Sequence, residues 1–95
     1  MVRVKICGIR TGEEAAAAVR FGAHALGFVL APSPRRVEPE AAREIVDKLP
    51  PFVTRVGVFV DEERYAVQEL ATFLKLDMLQ FHGHESPAYC RRFSQ

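Results

Sequence analysis

The first residues that could do chemistry lie near the start of the chain, in the tetrapeptide Lys5-Ile6-Cys7-Gly8. Gly8 allows a sharp turn, so we expect the Cys7 thiol near the carboxyl end of a strand. Lys5 shares a face with Cys7 because successive strand side chains alternate, and a nearby ammonium favours the thiolate. Cys7 is therefore a candidate base or nucleophile, and a buried inert cysteine is the competing interpretation.

Two later segments offer groups that could bind a substrate. Arg35 lies in the loop Ser33–Arg36, and a guanidinium binds a carboxylate or phosphate through paired hydrogen bonds. Gln80 and His82 end the fourth candidate strand and provide an amide and an imidazole on one face. A solvated basic turn and a buried core histidine are the competing interpretations.

The pair His82 and His84 could direct two rings towards a metal ion. Glu85 and Cys90 are possible additional ligands, but no third ligand stands at a regular spacing from the histidines. The sequence therefore predicts no metal. The cysteines form no C-x-x-C pair, so two free thiols are expected.

Short apolar runs and helical patterns alternate along the chain in the order βαβαβαβα. The predicted strands are Val2–Cys7, Ala25–Leu30, Val53–Val60 and Asp77–Phe81. Four features mark predicted helix starts: a capping box of Thr11 with Glu14, Pro39 in a first turn, Asp61 as a cap, and Ser86-Pro87. Gly22 should end the first helix, and Pro50-Pro51 the second.

This order predicts a parallel sheet, either an open doubly wound sheet or half of an eight-stranded barrel. Alternation favours the barrel, with one apolar face towards helices and one partly polar inner face. The predicted apolar face contains Val2, Val4, Ile6, Val56, Val58, Val60, Leu79 and Phe81. The predicted inner face contains Arg3, Lys5, Cys7, Arg55, Gly57, Phe59, Met78, Gln80 and His82. A sheet with one solvated face is the alternative.

Composition excludes several classes of function. The 95 residues are 48% hydrophobic and carry a formal net charge of +1, which argues against disorder and against nonspecific binding to nucleic acid or anionic lipid. No apolar run approaches the roughly 20 residues that span a bilayer. The start lacks the apolar region of a secretory signal, so a cytoplasmic location is expected.

Four stretches together resemble the phosphoribosylanthranilate isomerase family of tryptophan biosynthesis. They are KICGIRT at 5–11, GFVLAPSPRRV at 27–37, RVGVFV at 55–60 and QFHG at 80–83. The resemblance implies a (β/α)8 TIM barrel without a cofactor. It also implies an Amadori rearrangement of N-(5′-phosphoribosyl)anthranilate to 1-(2-carboxyphenylamino)-1-deoxyribulose 5-phosphate.

The same resemblance assigns roles to individual residues. It implies Cys7 as the general base and Arg35 as the contact to the anthranilate end, and His82 is expected to be a further substrate-binding residue. Lys5 and Gln80 are expected to support them. Two departures from the family's usual pattern, His84 for an acidic residue and Phe81 for leucine, touch none of this chemistry.

A complete barrel needs roughly 200 residues or more, so residues 1–95 are expected to form a single partial domain, the first four βα units. The family's general acid, an aspartate, and its phosphate-binding loops belong to the second half. Asp61 and Asp77 are predicted to be a cap and a strand start rather than that acid. Expected partners are a small phosphorylated substrate and a second half-barrel or second copy. The alternative function is a non-catalytic, self-associating half-barrel.

Overall fold

Strands and helices alternate along the chain in the computed structural model, which describes residues 3–81. The elements are β1 Lys5–Cys7, α1 Gly12–Phe21, β2 Ala25–Val29, α2 Pro39–Asp47, β3 Thr54–Phe59, α3 Arg64–Phe73 and β4 Met78–Phe81. Each strand is shorter than predicted, because the predicted ends lie beyond the regular hydrogen-bonded ladder. The fourth helix, predicted from Ser86, lies outside the described residues. Within residues 3–81, none of the helices is long and apolar enough to cross a membrane.

The four strands form one parallel sheet in the order β1-β2-β3-β4. Each strand is added beside the previous one, always on the same side. A doubly wound sheet would reverse direction at a switch point, and no reversal occurs among these strands. The order is that of consecutive strands in a (β/α)8 barrel, which confirms the predicted fold class.

All three helices pack against one face of the sheet. A single core cluster joins Leu26, Phe28 and Phe59 of the sheet to Ala15 and Ala18 of α1, Ala42, Ile45 and Val46 of α2, and Val67 of α3. Ile6, Leu79 and Phe81 pack against this cluster from the two outer strands. The opposite face is left for the barrel interior, and we call it the inner face.

The predicted faces are correct for β1 and β4 but wrong for β3. Phe59 is only 1% exposed and lies in the helix-packed core, in register with Phe81. Val56 pairs with Gly27 and through it with Cys7, which places the valines of β3 on the inner face. The interior of a barrel is filled by branched aliphatic residues, so valine does not identify the helix side.

Arg55 and Gly57 accordingly lie on the helix side of β3. Arg55 donates hydrogen bonds to the carbonyls of Val53 (3.0 Å) and Leu49 (3.5 Å), where α2 leads into β3. A Cβ atom on Gly57 would lie 2.4 Å from Leu76 Cδ1. A larger residue at 57 would therefore displace the side chain of Leu76, in the segment that follows α3.

The start and end of α1 agree with the sequence. Thr11 is the N-cap, and its hydroxyl accepts a hydrogen bond from the Glu14 N–H (3.1 Å) while the Glu14 carboxylate bonds back to the cap. Gly22 ends the helix with φ 103°, in the left-handed region that glycine adopts without steric cost. Pro39 is the first residue of α2, again as predicted.

The predicted cap of α3 is wrong. Asp61 lies in a turn after β3 with φ 49°, a conformation that aspartate tolerates better than most residues. The cap is Glu63, whose carboxylate accepts hydrogen bonds from the N–H groups of Tyr65 (3.0 Å) and Ala66 (3.1 Å). The helix therefore begins after Glu63 rather than after Asp61.

Candidate active site

Cys7 is the last residue of β1, at the carboxyl end of the sheet. Its thiol is free and lies on the inner face of the sheet, in register with Gly27 of β2. Active sites of barrel enzymes are built at this end of the strands. The position of Cys7 therefore fits a chemical role better than a packing role.

The turn after Cys7 is fixed to the neighbouring strand. Gly8 has φ 87°, which a residue with a side chain adopts only with strain. The N–H groups of Gly8 and Ile9 both donate to the carbonyl oxygen of Gly27, at 3.0 and 3.1 Å. The backbone that follows the thiol is therefore held by β2.

The start of α1 stabilises this turn from the other side. Glu14 accepts hydrogen bonds from the N–H of Arg10 at 2.7 Å and of Thr11 at 3.3 Å. The hydrogen bond from Arg10 is the main reason why the pKa of Glu14 lies below its ordinary value. The bond from Thr11 and the charge of Arg35 act in the same direction. The carboxylate is therefore ionised at neutral pH and keeps the capping box intact.

Arg35 extends from the β2–α2 loop to the β1–α1 turn. Its Nη2 donates a 2.8 Å hydrogen bond to the carbonyl oxygen of Gly8. A Cβ on Gly8 would lie 2.8 Å from Arg35 Nε, so the glycine also leaves space for the guanidinium. Arg35 and Cys7 border a common cleft of about 420 Å³ along the free edge of β1.

Arg36, the next residue, is engaged elsewhere. Its Nη1 forms an ion pair with Glu38 Oε1 at 2.5 Å, and its backbone makes an isolated bridge with Val29. The two arginines of the loop thus have different surroundings. Of the two, Arg35 is the one whose side chain is hydrogen-bonded to the turn that follows Cys7.

Lys5 and Gln80 lie on the inner face with Cys7. The Lys5 amine donates a hydrogen bond to Gln80 Oε1, which joins β1 to β4 across the concave side of the sheet. Lys5 is thus directed towards Gln80, and its predicted effect on the thiol stays a prediction. His82, the other predicted substrate contact, lies outside the described residues.

Asp77 and the possible metal ligands do not join Cys7 in the part of the chain that the structure describes. The Asp77 carboxylate accepts a 2.8 Å hydrogen bond from the N–H of Arg55, just before β4 begins, at the end of the sheet opposite to Cys7. It is therefore remote from the site. Within residues 3–81, no three histidine, cysteine or acidic side chains gather as metal ligands. His84, Glu85 and Cys90 lie outside that range.

One residue of the site was missed from the sequence. Gly27 stands directly opposite Cys7 in the parallel register of β1 and β2 and provides the carbonyl described above. A glycine inside a buried strand marks a close approach of another group. The glycine within Ala25–Val29 is that signal in this sequence.

The comparisons with known proteins agree with this geometry. The family model described as N-(5′-phosphoribosyl)anthranilate (PRA) isomerase matches residues 4–95. A curated relative of that name from Moorella thermoacetica is 61% identical over 95 residues, which is 100% of this chain and 43% of the relative. The chain thus spans less than half the length of this relative.

Two solved structures are similar to the chain. One is a phosphoribosyl anthranilate isomerase in complex with reduced 1-(o-carboxyphenylamino)-1-deoxyribulose 5-phosphate, with TM-score 0.96, 49% identity, and 99% of this chain and 49% of the other covered. The other contains monomers of the dimeric isomerase from Thermotoga maritima. Its TM-score is 0.93 and its sequence identity is 46%, and the match covers 99% of this chain and 49% of that chain. With the family match over residues 4–95, the sheet order and the position of Cys7, these likenesses show that the chain belongs to the N-(5′-phosphoribosyl)anthranilate isomerase family.

Proposed function

We propose that these 95 residues form the base-carrying half of a phosphoribosylanthranilate isomerase. The observation that carries the proposal is the free thiol of Cys7 on the inner face, at the carboxyl end of β1. The likeness to a solved isomerase in complex with a reduced product supports the substrate class. The proposed substrate is N-(5′-phosphoribosyl)anthranilate, and the reaction is its Amadori rearrangement.

The chemistry needs one acid and one base. Protonation of the ribose ring oxygen opens the ring and leaves a protonated Schiff base at C1′. Removal of the C2′ proton then gives an enolamine, which becomes the ketone when a proton returns to C1′ and the 2′-hydroxyl gives up its proton, so that the acid and the base are both restored. In this proposal the Cys7 thiolate takes the C2′ proton, and because protein side chains can carry out each of these proton transfers, the proposal invokes no cofactor.

Arg35 is our candidate for the anthranilate carboxylate. It already donates to the carbonyl of Gly8, one residue from the proposed base, and a guanidinium binds a carboxylate with two parallel hydrogen bonds. Arg36 is paired with Glu38 and would have to leave that partner first. We propose His82 as a second substrate contact, with Lys5 and Gln80 maintaining the shape of the inner face.

The general acid and the phosphate site are proposed to lie in the second half of the barrel. Asp77 is bonded to Arg55 at the opposite end of the sheet, and Asp61 lies in the turn before α3. Neither stands beside Cys7. We therefore propose a second half-barrel as partner, with a cytoplasmic location. Self-association of the complete protein is also proposed, because the similar isomerase from Thermotoga maritima is described as dimeric.

The test is the Cys7→Ser variant in a complete barrel, meaning these residues continued by a second half, supplied if needed from the Moorella thermoacetica relative. A serine hydroxyl hardly ionises near pH 7, and loss of a positioned base typically lowers turnover by about 10² to 10⁴-fold. The measurement is steady-state kinetics by loss of substrate fluorescence. Cys90→Ser is the matched control and should retain activity. A Cys7→Ser enzyme within about threefold of the parent kcat would exclude Cys7 as the base.

A further inference from the structure

Gly27 lies beside Cys7 on the inner face of the sheet. Its backbone conformation does not require a glycine. It is buried, lies in the middle of β2 and is paired in register with Cys7. Its φ lies outside the left-handed region that Gly8 and Gly22 occupy. Its backbone conformation is therefore open to any residue, and the reason for glycine must be space.

The space is taken up by the thiol. A Cβ atom on Gly27 would lie 2.8 Å from Cys7 Sγ, 3.2 Å from Cys7 Cα and 3.3 Å from Cys7 Cβ. Real Cβ atoms essentially never approach another heavy atom as closely as the first of these distances. All three of these contacts are to Cys7, so the residue for which the glycine makes room is the cysteine.

We propose that Gly27 is a positioning residue for Cys7, and this proposal rests on Cys7 being the base of the proposed isomerase. The missing side chain lets Sγ occupy its present rotamer. The Gly27 carbonyl, which accepts from the N–H groups of Gly8 and Ile9, fixes the backbone that follows. One residue thus determines both the direction of the thiol and the turn beside it.

The expected effect of a methyl group at 27 follows from the three distances. The added Cβ would also lie 3.2 and 3.3 Å from Cys7 Cα and Cβ, so the β1 backbone has to shift by only a few tenths of an ångström, whereas the 2.8 Å contact to Sγ requires a larger movement. Sγ then moves to another staggered rotamer, a displacement of roughly 3 Å. An error of about 1 Å in the position of a reacting group can lower turnover by about 10²-fold.

The kinetic test compares three glycine-to-alanine variants of the complete barrel. Gly27→Ala should lower kcat by about 100-fold or more with KM within about threefold, because the substrate contacts are unchanged. Gly57→Ala introduces an even closer contact, 2.4 Å to Leu76 Cδ1, on the opposite face of the sheet, and should lower stability while kcat is retained. Gly12→Ala meets nothing within 4 Å and should change neither.

A second measurement detects the contact without using activity. The destabilisation caused by Gly27→Ala is measured by chemical denaturation in the parent and in a Cys7→Ala background. Removing Sγ removes the closest contact, so we expect a clearly smaller shift of the midpoint in the Cys7→Ala background. The alkylation rate of Cys7 by iodoacetamide should also change in Gly27→Ala and stay unchanged in Gly57→Ala.

The outcomes separate the two proposals. Equal destabilisation in both backgrounds, or an unchanged kcat in a folded Gly27→Ala enzyme, would overturn the positioning role and leave Cys7 as the base. An active Cys7→Ser enzyme would overturn the base itself, whatever the coupling between positions 7 and 27.

Discussion

Arg35 Nη2 donates a 2.8 Å hydrogen bond to the carbonyl oxygen of Gly8. This bond joins the loop after β2 to the turn after β1, and the two loops are otherwise far apart in sequence. The guanidinium lies above a residue without a side chain, where a Cβ would be 2.8 Å from Nε. The second loop is thereby held against the residue that follows Cys7.

The first prediction concerns substrate binding by this arginine. Arg35→Ala in the complete barrel should raise KM about 10- to 100-fold, because a hydrogen bond between charged groups contributes about 1.5 to 3 kcal/mol. If the contact is equally strong in the ground and transition states, kcat should change little. Steady-state kinetics at saturating and limiting substrate separates the two constants.

Arg36→Ala is the matched control, since Arg36 is bonded to Glu38. It should leave KM within about threefold of the parent. A larger rise in KM for Arg36→Ala than for Arg35→Ala would transfer the carboxylate contact to Arg36.

The second prediction concerns the 95 residues produced alone. They should not isomerise phosphoribosylanthranilate, because the base is present without the acid and without the phosphate site. Strands β1 and β4 are the two edges of the described sheet, and unpaired parallel edges bind other strands. The isolated chain should therefore self-associate at micromolar concentration, as measured by sedimentation velocity.

A compact monomer with cooperative unfolding at that concentration would contradict the expected association. Turnover by the isolated chain would contradict the division of acid and base between two halves. Adding a separately produced second half should restore measurable activity, and a Cys7→Ser version of the first half should not.

The third prediction concerns the pH dependence of stability. Backbone hydrogen bonds from Arg10 and then Thr11 hold the pKa of Glu14 below its ordinary value of 4.5. The folded state therefore binds the proton less tightly than the unfolded state, and Glu14 stabilises the fold above the unfolded-state pKa. That contribution should disappear as the pH falls through the lower, folded-state pKa.

Glu14→Gln keeps an oxygen acceptor and removes the charge. At neutral pH the variant should be about 0.3 to 1 kcal/mol less stable, as expected for an acidic group in the first turn of a helix. The difference in unfolding free energy should shrink towards zero as the pH falls below the ordinary glutamate pKa and through the lower, folded-state pKa of Glu14. Urea denaturation across this range measures it, and a difference that is constant with pH would refute the role of the charge. Glu13→Gln, in the same turn, is the control.

Much of the fold could be predicted because local signals agree with the tertiary structure. The capping box at Thr11 and the glycine at 22 mark both ends of α1. Pro39 marks the start of α2. In each case the backbone requirement is local, so it is visible in a few adjacent residues.

Two predictions about the fold are wrong, one for the cap of α3 and one for the faces of β3. Glu63 caps α3 although its longer side chain ranks below aspartate as a cap, and Asp61 is used for a turn with positive φ instead. In β3, Gly57 faces the helices, and the Leu76 side chain, from the segment after α3, occupies the space beside it. No property of the run Thr54–Phe59 alone indicates that contact.

In the candidate site too, local features could be predicted from the sequence and contacts between distant residues could not. Cys7 could be predicted from its place at a strand end before a glycine. A glycine inside the second strand indicates that some group approaches closely, but the sequence could not identify that group, because it is a sulfur atom on another strand. The family resemblance already selected Arg35 from the two loop arginines, but its hydrogen bond to the carbonyl of Gly8 was visible only in the structure.

The hydrogen bond from Lys5 to Gln80 has a consequence for how such a barrel can be assembled. Strands β1 and β4 are separated by two others, yet their side chains meet across the concave face. On a flat sheet, three spacings of about 4.8 Å would keep these side chains well apart. The arc of the cylinder is therefore already present in these four strands, before any closing strand is added. A partner half then has to pair only with the two edge strands, β1 and β4. Joining the halves therefore requires complementary strand edges and no further bending of this sheet.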